Sequence, residues 1–304
     1  IQMGLAFQLQ DDYLDVYGDP KVFGKNIGGD ILCNKKTFML INALALGNPR
    51  QKEELDRWIS CAEYCPEEKI LFSNDAFGQH LATSSPFDDE NDLAAFEEPT
   101  RRYYACIVGK VAGQALKALN KLGGIEIGTI CPSHGLIWRD NPKHILDMYI
   151  KMSAKETDPG VVIAYGSMYG NTAQMAEKIA RELTVQGVKN IIVYNLSYAD
   201  ISNVIRDIFK YDTLIVGSPT YNGELFPEVG SLLQKISERC IPCRKFAYFG
   251  SYTWAGAAVR LLGEFAQKMK WEAICQPTEM KQGYDDQGAQ CCTALAKAIA
   301  EKIR

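Results

Sequence analysis

From residue 161 to the end of the chain, short continuous apolar runs alternate with longer helical stretches. The runs are 161–165, 191–195, 213–216, 245–249 and 271–276, and helices are expected over 172–186, 200–210, 228–238, 257–269 and 288–303. A strand apolar on both sides must be covered on both faces, and strand–helix alternation joins parallel neighbours. Residues 159–304 are therefore expected to form an α/β domain around a doubly wound, five-stranded parallel sheet. Such sheets bind ligands beyond the carboxyl ends of their strands. Function should then lie in the loops after the first, third and fourth strands.

Those loops share a chemistry. After the first strand stand Ser167, Met168, Tyr169, Gly170, Asn171 and Thr172, opening directly into a helix. Hydroxyls and free backbone N–H groups at a helix N-terminus make an anion site. The loop has no lysine, which excludes a nucleoside-triphosphate P-loop, and it is not G-x-G-x-x-G. Neutral donors of this kind suit a monophosphate. After the third strand come Ser218, Pro219, Thr220, Tyr221, Asn222 and Gly223; after the fourth come Ser251, Tyr252, Trp254 and Gly256. Each of these two loops offers an aromatic ring and small residues that let backbone approach a planar ligand. A single such loop reads equally well as turn chemistry. Three on one sheet edge describe a phosphate cradle with two aromatic walls, an FMN pocket.

The strings YGSMYGNTAQMAEKIA, IVGSPTYNGELFP and AYFGSYTWAGAAV resemble flavodoxins, and more closely the flavodoxin domain of flavodiiron proteins, over the whole of 161–304. The phosphate loop departs from the commonest pattern only in Tyr169, where a Thr often stands. The resemblance implies FMN and electron transfer.

The middle region, 61–158, is expected to hold a strand at 69–73, a long helical stretch at 92–122, a second strand at 125–130 and a closing helix at 143–154. Residues 155–160 read as a polar linker. Asp75 stands just past the first of these strands and His134 just past the second. A carboxylate and an imidazole suit iron or zinc, although a turn Asp and a hydrogen-bonded His are the commoner explanation. The strings ILFSNDAFGQH and CPSHGLIWR resemble the closing half of the metallo-β-lactamase-like domain of flavodiiron proteins. By that resemblance Asp75 bridges two irons and His134 binds one, and the family reduces dioxygen or nitric oxide there with electrons from FMN. The family's H-x-E-x-D-H motif and a further upstream His are missing: the three histidines are His80, His134 and His144. Two ligands do not hold a diiron centre against water, so this chain is expected to lack diiron catalysis. His80 is expected to line the pocket and His144 to lie at the surface.

Residues 1–60 are expected to be helical and foreign to both regions. Asp11 and Asp15 fall one helical turn apart with Asp12 beside them, a spacing that suits Mg²⁺ and, through it, a diphosphate. Lys25, Lys35 and Lys36 follow. A solvated acidic face explains the bare pattern as well. The whole string resembles the second aspartate-rich motif of polyprenyl diphosphate synthases. The first motif is absent, so no prenyl transfer is expected. Residues 1–14 read as the middle of a helix with no cap, which suggests that the natural N-terminus is missing. The two resemblances meet between residues 59 and 70, a join expected of a chimeric gene model or sequence assembly, with a real gene fusion as the alternative.

Composition narrows the rest. The formal charge of −4, from 33 basic and 37 acidic residues, gives no basic excess for nucleic acid. No apolar run reaches membrane-spanning length. Ten scattered cysteines fit reduced thiols in the cytoplasm. Cys240 and Cys243, in C-x-x-C spacing without a second pair, read as a surface loop. Cys291 and Cys292 are expected to begin the last helix, and Tyr103 and Tyr104 to pack a helix. The resemblance implies a redox partner such as rubredoxin or an NAD(P)H-linked reductase, and a head-to-tail homodimer. Three readings stand: an FMN electron-transfer module of a flavodiiron-type oxidoreductase, a prenyltransferase fragment, and a stand-alone flavodoxin or quinone reductase. The strings around Asp75 and His134 favour the first over the third.

Overall fold

The computed structural model describes residues 45–52, 64–242 and 244–303. The expectations for Asp11, Asp12, Asp15, the three lysines after them and Cys243 fall outside these residues.

The middle region begins with β1 (Tyr64–Cys65) and β2 (Ile70–Asn74), which pair antiparallel. The expected unbroken helix over 92–122 is instead α1 (Ala94–Tyr103), a π turn at Tyr104–Val108, a 3₁₀ turn at Gly109–Val111, and α2 (Ala112–Leu122). Gly109 marks the break: a Cβ there would lie 3.1 Å from the ring of Phe209. The strand expected at 125–130 is shifted to β3 (Thr129–Pro132). Its partner β2 begins only at Ile70, so pairing begins at Thr129, and residues 125–128 have no strand to pair with. The closing helix is α3 (Pro142–Ser153), whose first turn is capped by the Asn141 carboxamide.

No free linker follows. The strand β4 (Asp158–Tyr165) takes in residues expected to be linker, so the boundary expected at 158–159 falls inside it. After it come α4 (Asn171–Val185), β5 (Ile191–Asn195), α5 (Ile201–Lys210) and β6 (Tyr211–Tyr221). Then follow β7 (Glu224–Leu225), α6 (Pro227–Glu238), β8 (Lys245–Tyr252), α7 (Ala258–Met269), β9 (Thr278–Lys281) and α8 (Asp286–Ile303). Five parallel strands run in the order β5-β4-β6-β8-β9, and β7 folds back on β6.

The fifth strand is misplaced in the sequence reading. Residues 271–276 contribute only a bridge from Ala273 to Phe246. Trp271 closes the end of α7, its N–H donating to the Ala266 carbonyl, and packs edge-on against Phe246 and Phe265. The true strand β9 is a half-exposed edge, so it lacks the apolar run that marks a buried strand.

Successive side chains of a strand point to opposite faces. In β4, Val161 and Ile163 meet α4 and α8 through Met175, Ile179, Leu295 and Ile299. Val162 and Ala164 meet α5, α6 and α7 through Val204, Ile208, Leu232 and Leu262. That second core continues into the middle region, taking in Tyr104, Ile130, Trp138 and Tyr149. Tyr104 is wholly buried, its ring 5.6 Å from that of Phe209 and its hydroxyl 2.8 Å from Ser153 Oγ. Lys210 and Arg206 of α5 bind Glu98 of α1 at 2.6 and 3.1 Å. No helix among the described residues is long and apolar enough to cross a membrane.

Candidate functional site

The loops at the carboxyl ends of β4, β6 and β8 surround one cleft of about 700 Å³, within the range of small-molecule sites. Ser167, Met168, Tyr169, Asn171 and Thr172 line it from the first loop. Pro219, Thr220, Tyr221, Asn222 and Gly223 line it from the second, and Ser251, Tyr252 and Trp254 from the third. Among the described residues, no charged side chain lines it.

The first loop is shaped by Gly170, whose left-handed φ of 88° turns the chain into α4. Gly170 itself does not line the cleft. Ser167 Oγ accepts the Ala173 N–H at 3.3 Å, while the earlier first-turn N–H groups have no intrahelical acceptor. Thr172 is buried, its hydroxyl 2.9 Å from Ser251 Oγ, so it ties the first loop to the third.

The second loop is a hairpin. Asn222 and Gly223, with φ of 50° and 79°, form the two-residue turn that joins β6 to β7. Ser218 does not line the cleft. It is buried, accepts the Phe226 N–H at 3.0 Å and donates to the Pro219 carbonyl. Thr220 Oγ1 accepts from Ala257 N at 2.9 Å and Ala258 N at 3.1 Å, capping α7 and fixing the third loop. Gly256 also stands outside the cleft; a Cβ there would lie 2.6 Å from Glu279 Oε2, so the glycine makes room for that carboxylate.

Trp254 is 91% and Tyr169 83% exposed, whereas Tyr221 packs edge-on against Phe226. The cleft's aromatic residues thus comprise the braced Tyr221, the half-buried Tyr252 and the two open rings of Tyr169 and Trp254. Thr253, Ala255 and Gln282 line the cleft without having been singled out from the sequence. The first two lie within the recognised third loop. Gln282 follows β9 and was hidden by the misplaced strand.

A second cluster lies in the middle region. Because β2 and β3 are parallel neighbours, the loops after them lie at one sheet edge. Asp75 Oδ1 and His134 Nε2 are 3.5 Å apart. Gln79 holds the two loops together: its N–H donates to the His134 carbonyl and its Oε1 accepts the Leu136 N–H. The His80 ring is 5.3 Å from His134 and 4.7 Å from Tyr103. Tyr103, expected merely to pack a helix, borders this cluster, and burial together with the Asp75 charge raises its phenol pKa. His144 is half-buried rather than superficial, beside Trp138 and Glu97. The only group of three or more His, Cys, Asp and Glu within ligand reach among the described residues is Cys65, Glu67 and Glu68, away from Asp75 and His134. Among the described residues, no further His, Cys, Asp or Glu completes a group of three with Asp75 and His134.

Cys240 is exposed just past α6. Cys291 and Cys292 lie inside α8 rather than at its start, and burial pushes the Cys292 thiol up to about 12.

The flavodoxin family model matches residues 163–302, and the polyprenyl synthetase model matches residues 1–72. The chain is 34% identical over 243 residues to a nitric oxide reductase of Moorella thermoacetica, covering 79% of this chain and 61% of that protein. The structure of rubredoxin oxygen:oxidoreductase from the anaerobe Desulfovibrio gigas superposes with a TM-score of 0.76 at 30% identity, over 79% of this chain and 61% of that one. The flavodiiron protein of Giardia intestinalis superposes with a TM-score of 0.72 at 28% identity, over the same shares. The chain thus spans less than two thirds of the length of these relatives. In this C-terminal region with its flavodoxin domain, the chain is similar to flavodiiron proteins.

Proposed function

We propose that the cleft holds FMN and that the chain is the FMN electron-transfer module of a flavodiiron-type oxidoreductase whose parent reduces dioxygen or nitric oxide. One observation carries the reading: three loops of a complete parallel sheet converge on a single cleft lined by neutral donors and aromatic rings. The first-turn N–H groups of α4, with Ser167, would receive the phosphate. Tyr221 and Trp254 would flank the ring system, with Asn222 and Gly223 offering backbone beside it. Bound FMN supplies electron transfer in one- or two-electron steps. The protein's part is to orient the ring and to leave one edge open to a partner; Trp254 and Tyr169 are the exposed groups at that opening.

FMN and iron are the cofactors that the family indicates. For iron, this chain offers Asp75 and His134 without the remaining ligands. We assign residues 61–158 to a truncated metallo-β-lactamase-like domain, 159–304 to the flavodoxin-like domain and 1–60 to the polyprenyl-synthase-like fragment. Rubredoxin or an NAD(P)H-linked reductase is the proposed electron donor, a head-to-tail homodimer the proposed assembly, and the cytoplasm the proposed location. A stand-alone flavodoxin would have no use for the paired Asp75 and His134 loops. A prenyltransferase reading would leave the three-loop cleft without a role.

The test is cofactor content of the purified chain. One tightly bound FMN with a flavin spectrum, and fewer than two irons per chain after loading with ferrous iron, are expected. Failure to take up FMN would sink the flavin assignment, and two tightly held irons would overturn the truncated-site reading.

A further inference from the structure

We propose that Gln282 binds the ribityl phosphate tail of the cofactor, making the loop between β9 and α8 a fourth wall of the site. The inference rests on the FMN reading above. Its first support is backbone conformation. Gln282 has a φ of 65°, in the left-handed region that a residue with a Cβ enters only at a cost. Lys155, Cys240 and Lys270 share that conformation just past a helix, where it is a normal way to stop, and Lys69 and Phe77 share it in the turns flanking β2. Among the non-glycine residues lining the cleft, Asn222 has it in a hairpin turn and Gln282 has it without one. Gln282 follows a strand and ends no helix.

The second support is what holds it there. Its N–H donates to the Tyr252 carbonyl at 2.7 Å, in the third cleft loop. Two residues on, the Tyr284 N–H donates to Asn171 Oδ1 at 3.2 Å, in the phosphate loop. The segment therefore spans the gap between the phosphate loop and the end of β8, the same gap that the Thr172–Ser251 hydroxyl pair closes. The cleft that Gln282 lines runs from the start of α4, at Asn171 and Thr172, to Tyr221 and Trp254.

The third support is the side chain. It lines the cleft, and its carboxamide bonds to none of the described residues. A carboxamide offers two N–H donors and an acceptor. That set matches phosphate oxygens and ribityl hydroxyls, and it adds no charge to a cleft that has none.

The test titrates the full chain, stripped of flavin, with FMN and with lumiflavin, which has the ring system but no tail. Gln282→Gly removes the carboxamide and relieves the backbone. FMN affinity should fall roughly tenfold or more, the scale of a hydrogen bond to a charged group, while lumiflavin affinity stays the same. Gln282→Glu and Gln282→Lys keep a long side chain and read the phosphate charge. Glu should bind FMN less tightly than Lys, with lumiflavin indifferent to both. Wild-type FMN affinity in Gln282→Gly, an equal loss of lumiflavin, or identical FMN affinity in the Glu and Lys variants would each overturn the proposal. If the wild-type chain itself takes no FMN, the reading of the cleft fails first and this inference falls with it. If wild type binds FMN and only the variants behave otherwise, this inference fails alone.

Discussion

The cleft proposed for FMN and the Asp75–His134 pair are built by the same device, loops at the carboxyl ends of parallel strands, but they differ in how many loops converge. The cleft draws on three loops of one sheet, all within residues 167–256, and on a fourth after β9. The cluster draws on two loops of a three-stranded sheet and has Asp75 and His134 as its candidate ligands. Contacts confined to one sheet edge depend on that sheet alone, whereas the Asp75–His134 pair depends on the two loops that Gln79 ties together.

A pair of glycine substitutions would separate the two regions most forcefully. Gly217 lies in β6, at the centre of the flavodoxin-like sheet, and a Cβ there would stand 2.2 Å from the buried Phe249 ring. Gly217→Ala should cost roughly 3 kcal/mol through overpacking and abolish flavin uptake. Gly135 has a φ of 86°, and its Cβ would stand 2.1 Å from Gln79 Oε1. Gly135→Ala should disturb the Asp75 and His134 loops while leaving flavin bound. Denaturant unfolding monitored by flavin fluorescence reads both, and release of flavin by Gly135→Ala would show that the two sites are not separable.

What could be read in advance follows the same division. Strands buried on both faces announce themselves as apolar runs, so β4, β6 and β8 and their loops were legible; the edge strand β5 was legible because its own residues, Ile191, Ile192 and Val193, form an apolar run. The edge strand β9 was not, because half of it faces solvent, while the apolar residues around Trp271 belong to the end of α7. Gln282 was lost with it. Ser218, Gly170 and Gly256 were singled out by residue type, yet type does not distinguish a ligand from a residue that shapes the loop. Ser218 binds backbone and Gly256 accommodates Glu279. Tyr103 could not be placed beside His80 and His134 without knowing that α1 packs over the two loops.

A buried carboxylate gives the middle region its own pH signature. Asp88 accepts N–H bonds from Arg139, Asp140 and Asn141 and so fixes the turn into α3. Burial alone would raise its pKa, but these backbone donors outweigh it and hold the carboxyl below its usual value. A depressed folded-state pKa adds stability above the unfolded value, about 3.9, and that stability is lost as pH falls through the folded value. Asp88→Asn should therefore cost about 2 kcal/mol at neutral pH, the scale of hydrogen bonds to a charged group. The gap from wild type should close below about pH 4. Stability curves measured from pH 7 to pH 3 read this directly. A gap that persists undiminished at pH 3 would show that Asp88 acts by packing and not by charge.

The smallest expected effect lies at the seam between the two regions. Glu98 of α1 receives Lys210 and Arg206 of α5, and Arg102 reaches Asp200 at 3.4 Å. These pairs are partly open to solvent, so each is worth at most about 1 kcal/mol. The apolar contact of Tyr104 with Phe209 lies beside them and is wholly buried on the tyrosine side. If that contact holds the regions together, Glu98→Ala should cost about 0.5 kcal/mol and lose even that in high salt. A single cooperative unfolding transition should survive in the variant. Splitting into two transitions, one with flavin fluorescence and one without, would instead make the ion pairs the true fastening and the two regions independent folding units.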